Sequence, residues 1–89
     1  MDRQAVSYRP RLIGRAQHQF VDLIDNDTAY DAFMERIIRL VDAPWDAWPV
    51  YPDGELLYRE TQFGEHGLLS FRVDDTAELL IIFNILWIG

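Results

Sequence analysis

Three side chains, Arg59, His66 and Arg72, offer the most chemistry in this sequence. Guanidinium groups bind carboxylates and phosphates through paired N–H donors, and a loop histidine can carry a proton near neutral pH. If residues 59 and 72 occupy neighbouring antiparallel strands, both arginines can lie on one sheet face and hold one anion. We predict these three as catalytic candidates, against the simpler interpretation of arginines paired with nearby carboxylates and a solvated His66.

Other chemistries lack the residues they need. The chain has no cysteine, which excludes disulfides and thiolate metal sites. His18 and His66 are the only histidines, and neither has a partner at metal-ligand spacing. There is no glycine-rich phosphate loop and no nucleophile elbow. We therefore predict neither a metal site nor a cofactor.

The charge of the chain disfavours direct binding of nucleic acid. The net charge is −7, and all eight basic residues are arginine. Residues 1–15 carry a net +3, so residues 16–89 carry −10. Nucleic-acid affinity depends on neutralising phosphates, and this field opposes it. The simpler interpretation is an acidic surface that keeps a hydrophobic domain soluble.

The N-terminal residues contain no hydrophobic signal core, which favours a cytoplasmic protein. The longest apolar run is too short for a membrane-spanning helix. With 89 residues, the chain is predicted to form a single domain over residues 1–89.

The element that organises the predicted fold is the apolar run at residues 79–88. It is apolar at both odd and even positions, and only Asn84 interrupts it. Because successive strand side chains point to opposite faces, this pattern predicts a central strand covered on both faces. A buried helix is the alternative that periodicity alone leaves open.

The remaining pattern predicts an α+β fold of order β-α-α-β-β-β, with a helical hairpin packed on a small, mostly antiparallel sheet. Pro10 is expected in the first turn of the first helix, and Thr28 with Asp31 resembles a capping box for the second. The other predicted elements are a strand at 4–8, helices at 11–25 and 28–42, a loop at 43–54, and strands at 55–63, 68–73 and 79–88.

Aromatic residues in and after the proline-rich loop form a second candidate site. Trp45, Trp48 and Tyr51 lie in the loop, and Tyr58 follows in the next strand. Aromatic side chains are enriched at interface hot spots, so we predict these four as partner-binding residues. The alternative is that the loop aromatics fold back over the helices and the sheet edge.

The C-terminal half resembles the RelE/ParE superfamily of bacterial toxins. Gly67, the stretch Phe71-Arg72-Val73-Asp74-Asp75, the apolar run and Ile88-Gly89 match the family pattern loosely. The element order matches over nearly the whole chain, whereas the residue pattern covers only about residues 55–89. The resemblance implies a toxin–antitoxin component with this fold.

The chain departs from the nuclease members of that family. They cleave messenger RNA with several cations and a basic or tyrosine-containing tail. Here Leu68 stands roughly where an arginine is expected, and Gly89 stands where the tail would begin. Only Arg59 and Arg72 remain to stabilise a developing anion.

Three functions follow from these observations. The first is a toxin-like component that acts by binding a protein, with a basic antitoxin as its partner. The second is a residual ribonuclease that uses Arg59 and Arg72, with His66 or Tyr58. The third is a non-toxic binding or regulatory module, such as a homodimer. The sequence favours binding over catalysis.

Overall fold

The computed structural model describes residues 7–49 and 58–88, in which two helices cover one face of a mixed sheet. The predicted order β-α-α-β-β-β is confirmed, with one two-residue strand added inside the predicted loop. Neither helix of this described part has the length and apolar character needed to cross a bilayer. The elements are β1 (Arg9–Leu12), α1 (Arg15–Ile24), α2 (Asp27–Leu40), β2 (Trp48–Pro49), β3 (Tyr58–Phe63), β4 (Gly67–Asp74) and β5 (Leu79–Trp87).

The sheet has the strand order β1-β5-β4-β3-β2, and only the β1–β5 pair is parallel. The apolar run is therefore a central strand, as predicted. On the β1 side, however, pairing covers only Leu79–Ile82 of β5. The register with β4 shifts so that Ser70 faces Asn84 while Phe71 faces Ile82, which leaves Phe83 as an extra, bulged residue.

Side-chain alternation divides the sheet into an inner face, against the helices, and an outer face. On β4 and β5 the residues with inner-face side chains include Leu69, Phe71, Leu80 and Ile82, and each is completely buried. They pack with a helix layer of Ala16, Leu23, Ala29, Phe33, Ile37 and Leu40. The outer face is covered less completely than predicted: Ile81 is buried, but Leu86 is 41% exposed.

The N-terminal prediction is wrong in one respect, because Pro10 lies in β1 and not in a helix. Its neighbours show why a strand accepts it. The amides of Arg9 and Ile13 donate to Glu78 and Ile82 of β5, so residue 10 of this edge strand directs its nitrogen away from the sheet. A missing N–H costs nothing there. Of the strand predicted at 4–8, residues 4–6 lie outside the described part, and 7–8 precede β1.

The helices form as predicted, with corrected ends. The first begins at Arg15, after Gly14 in the left-handed region with φ 56°. The second is capped by Asn26, whose side chain accepts a hydrogen bond from the Ala29 amide at 3.1 Å. The capping box predicted at Thr28 is therefore wrong, because asparagine is among the strongest N-cap residues and stands two positions earlier.

Candidate functional site

The β3–β4 register separates the two arginines that were expected to share one sheet face. Arg59 pairs with Phe71, and Arg72 pairs with Tyr58. Phe71 is fully buried on the inner face, so Arg59 lies on that face and Arg72 on the outer one. The prediction that both bind one anion is wrong, because a one-residue offset sends their side chains to opposite faces.

Arg59 is held by the segment that follows α2. Its Nη1 donates to the Ala47 carbonyl oxygen at 3.0 Å, and its guanidinium lies 4.9 Å from the Trp45 ring centroid. The Nε atom is buried and has no hydrogen-bond partner among the described residues. A cation over an indole face is stabilised by the ring quadrupole. Arg59 therefore anchors Trp45, although the indole stays 43% exposed.

His66 lies in the β3–β4 turn, far from Arg72. Its ring meets Trp87 edge-on, with centroids 5.8 Å apart, and its carbonyl oxygen accepts from the Ile88 amide. Residues 66 and 72 are separated by roughly 20 Å along the extended strand at about 3.3 Å per residue. The structure thus places Arg59, His66 and Arg72 at three separate locations.

The predicted aromatic residues also divide between locations. Trp48 belongs to β2, where its backbone pairs with Glu60, and Tyr51 lies outside the described residues. Tyr58 occupies the outer face and meets the Phe83 ring nearly perpendicularly, with centroids 5.9 Å apart. The bulge in β5 presents Phe83 on this face.

The outer face combines these aromatic rings with arginines from both sides of β5. Arg72 is half-buried and pairs across the sheet with Ile81. On the other side, Arg9 and Arg11 pair with Leu79 and Ile81 in parallel register, which sets them on the same face. The Arg9-Pro10-Arg11 alternation was a signal for this arrangement, but the proline was interpreted as a helix start.

The arginines of the outer face form no ion pair with another described residue. Among the described residues, Arg9, Arg11 and Arg72 take part in no ion pair, and they outnumber Glu60 and Asp74 on this face. Among the described strand residues of this face, three arginines stand beside two carboxylates, in a chain of net charge −7. Such a surface attracts carboxylates while its rings and aliphatic side chains supply apolar contact.

The edge of β5 beyond Ile82 is covered by a side chain where a strand would otherwise pair. The Gln19 amide donates from Nε2 to Asn84 Oδ1 at 3.1 Å and accepts at Oε1 from the Ile85 amide at 2.7 Å. A groove of about 320 Å³ continues along Ile85–Trp87 beside α1. No sequence pattern predicts this role for Gln19, since the role depends on the docking of α1 against β5.

A tyrosine–carboxylate contact joins the entry to β1 with the β4–β5 turn. The Tyr8 hydroxyl donates to Asp75, and this hydrogen bond, with burial and the negative charges of Asp75 and Glu78, raises the pKa of Tyr8 to about 12. Because the neutral phenol is the donor, the contact favours protonated Tyr8.

No group of three or more His, Asp or Glu side chains lies together as a metal site within residues 7–49 and 58–88. The outer face presents aromatic, aliphatic and guanidinium side chains. Comparison of the chain with models of protein families, with curated proteins and with solved structures gives no match in any of the three.

Proposed function

We propose that this chain acts by binding another protein through the outer face of its sheet, as the toxin-like component of a toxin–antitoxin pair. The RelE/ParE-like sequence pattern and the element order support the second part of the proposal. The observation that carries the first part is the outer face itself, where arginines that form no ion pair with another described residue flank the Tyr58–Phe83 ring contact.

The chemistry of this face defines the partner segment. The half-buried Phe83 needs an apolar counterpart, while Arg72 and Arg11 need carboxylates at its flanks. Arginine and aromatic side chains are the residue types that most often dominate binding energy at interfaces. The chain as a whole has a net charge of −7, so a partner with net positive charge gains from long-range attraction.

The nuclease alternative loses its main support. It needs Arg59 and Arg72 at one phosphate, but their side chains lie on opposite faces of the sheet. Arg59 already bonds the Ala47 carbonyl and packs on Trp45. Of these two arginines only Arg72 lies on the outer face, and one guanidinium in a chain of net charge −7 is a poor means of stabilising a phosphorane.

Expression in bacteria provides the functional test. We expect induction of this chain alone to arrest growth, and co-expression of the protein encoded by the adjacent reading frame to restore it. The purified pair should form a stable complex by gel filtration. Normal growth together with the absence of a complex would contradict the proposal, and a self-associated chain would favour the homodimeric module.

A charge-reversal pair tests the surface. Arg72→Glu should weaken the complex more than tenfold by calorimetry, because a carboxylate of the partner would then face a carboxylate. Arg39→Glu is the matched control: Arg39 is an exposed arginine of α2, on the helix side. If Arg39→Glu weakens the complex as much as Arg72→Glu does, the affinity depends on the net charge of the chain and not on the outer face.

A further inference from the structure

A separate cleft opens between α2, the segment after it and β3. It has a volume of about 430 Å³, within the range of small-ligand sites. Both charge signs and an indole ring contribute to its wall, which is lined by Arg36, Trp45, Asp46, Ala47, Thr61 and Gln62. It lies on the helix side of the sheet, away from the proposed protein-binding face.

Arg36 is the cation of this cleft, and its internal partner holds it only loosely. Its Nη1 lies 4.0 Å from Asp46 Oδ2, the outer limit of an ion pair. The Arg36 side chain is 27% exposed and that of Asp46 is 74% exposed, so water competes for the carboxylate. Exposed ion pairs of this kind contribute little. The guanidinium therefore keeps most of its donor capacity.

A second positive charge lies behind the wall. Arg59 contacts two residues that line the cleft, through the Ala47 carbonyl and the Trp45 ring. Its buried Nε has no hydrogen-bond partner within residues 7–49 and 58–88, so one donor of this guanidinium is unused there. On the same side Thr61 contributes a hydroxyl at a buried position. The lining thus combines the Arg36 guanidinium and the Asp46 carboxylate with a hydroxyl and an aromatic wall, and the Arg59 charge lies behind it.

We infer that this cleft binds a compact oxyanion, a carboxylate or a phosphate group, on the Arg36 guanidinium. The loosely held Asp46 carboxylate occupies the neighbouring space and gives way to the ligand. Planar guanidinium forks match such oxyanions in geometry and charge. The net charge of −7 repels a polyanion far more than a small ion, which restricts the ligand to a small molecule.

Titration of the full chain with two probes tests this site. Inorganic phosphate and sodium acetate are added separately to ¹⁵N-labelled protein, with sodium chloride at equal ionic strength as the screening control. We expect saturable shifts of the Arg36 Nε–H and Trp45 indole resonances, with a dissociation constant of about a millimolar. Comparing the two probes distinguishes a phosphate site from a carboxylate site.

Three variants identify the residues. Arg36→Gln should abolish saturation, whereas Arg39→Gln, one turn along α2 and outside the cleft, should retain it. Asp46→Asn removes the competing carboxylate and should tighten binding about twofold to fivefold. If Arg36→Gln strongly lowers the melting temperature of the protein, its loss of anion binding can result from unfolding. The anion affinity of Asp46→Asn is then the deciding measurement.

The inference is overturned if chloride reproduces the phosphate and acetate shifts, or if saturation persists in Arg36→Gln. Unchanged or weaker binding in Asp46→Asn also overturns it. Because Arg36 belongs to α2 and takes no part in the outer sheet face, loss of anion binding in Arg36→Gln with an intact protein complex separates this site from the proposed function.

Discussion

The inner and outer faces of the sheet are formed by the same strands but differ in burial and in side-chain composition. Along β4 the inner side chains Leu69, Phe71 and Val73 are fully buried beneath the helices. On the outer face of the same strand Ser70 is buried as well, whereas Leu68 and Arg72 are only half-buried. The inner face contains the hydrophobic core, whereas the outer face combines apolar side chains with arginines that form no ion pair with another described residue.

This difference explains why β5 is apolar at both parities. Leu80 and Ile82 are needed for the core, and Ile81 and Phe83 supply apolar area on the opposite face. An outer face that served solubility alone would carry polar residues at these positions. In β5, which the helices cover on one face, the apolar side chains of opposite parity lie on the outer face, where we propose that the partner binds.

The largest expected change in stability comes from removing one phenylalanine ring from the inner face, and its comparison is the removal of one from the outer face. Phe71→Ala should cost about 3–5 kcal/mol, because it leaves a cavity in a fully buried core. Phe83→Ala should cost much less stability, since its ring is half-buried, but should weaken partner binding. Chemical denaturation and calorimetry measure the two effects. Equal loss of stability would mean that the outer face is also core.

A close contact at the end of the inner face gives the next effect. A Cβ at residue 67 would lie 2.5 Å from both the backbone oxygen and the ring of Phe63. Gly67→Ala should therefore destabilise the fold by about 1–3 kcal/mol, as overpacking does. Thermal denaturation should show a melting point lower by several degrees. An unchanged melting point would show that the backbone of the β3–β4 turn can shift enough to accommodate the added methyl group.

The Gln19 side chain tests whether the uncovered part of β5 depends on α1. Gln19→Ala leaves the Ile85 amide unpaired and should cost about 1–2 kcal/mol. Gln19→Glu keeps the acceptor and loses the donor to Asn84, so an intermediate cost is expected. Hydrogen exchange at Ile85 should quicken in the alanine variant. Unchanged exchange would contradict the role assigned to Gln19.

The smallest effect concerns Tyr8 and depends on pH. The folded pKa of about 12 exceeds the ordinary value of 10, so the unfolded chain ionises first as pH rises. The stability that this contact contributes is present below pH 10 and is lost between about pH 10 and 12. In Tyr8→Phe this part of the loss of stability at alkaline pH should disappear. Denaturation at pH 8 and at pH 11 measures the free energy of unfolding of both proteins. If the variant loses as much stability at alkaline pH as the original chain, the loss comes from other titrating groups.

Local chemistry made the class of fold predictable. The apolar run at 79–88 has too few polar positions for any strand but an internal one, and its central place is confirmed. The helical hairpin follows from two apolar stripes separated by Asp25-Asn26. These features depend on side-chain periodicity, which neighbouring residues encode without reference to distant ones.

The placement of the candidate residues depended on tertiary contacts. The pairing of Phe63 with Gly67 sets the β3–β4 offset, and this offset separates Arg59 from Arg72. Pro10 joins a strand because β5 provides a parallel partner nearly 70 residues away. Sequence by itself thus determined which segments are strands and helices, since periodicity is local. Only the folded sheet decided which side chains meet, because a one-residue change of register exchanges its faces.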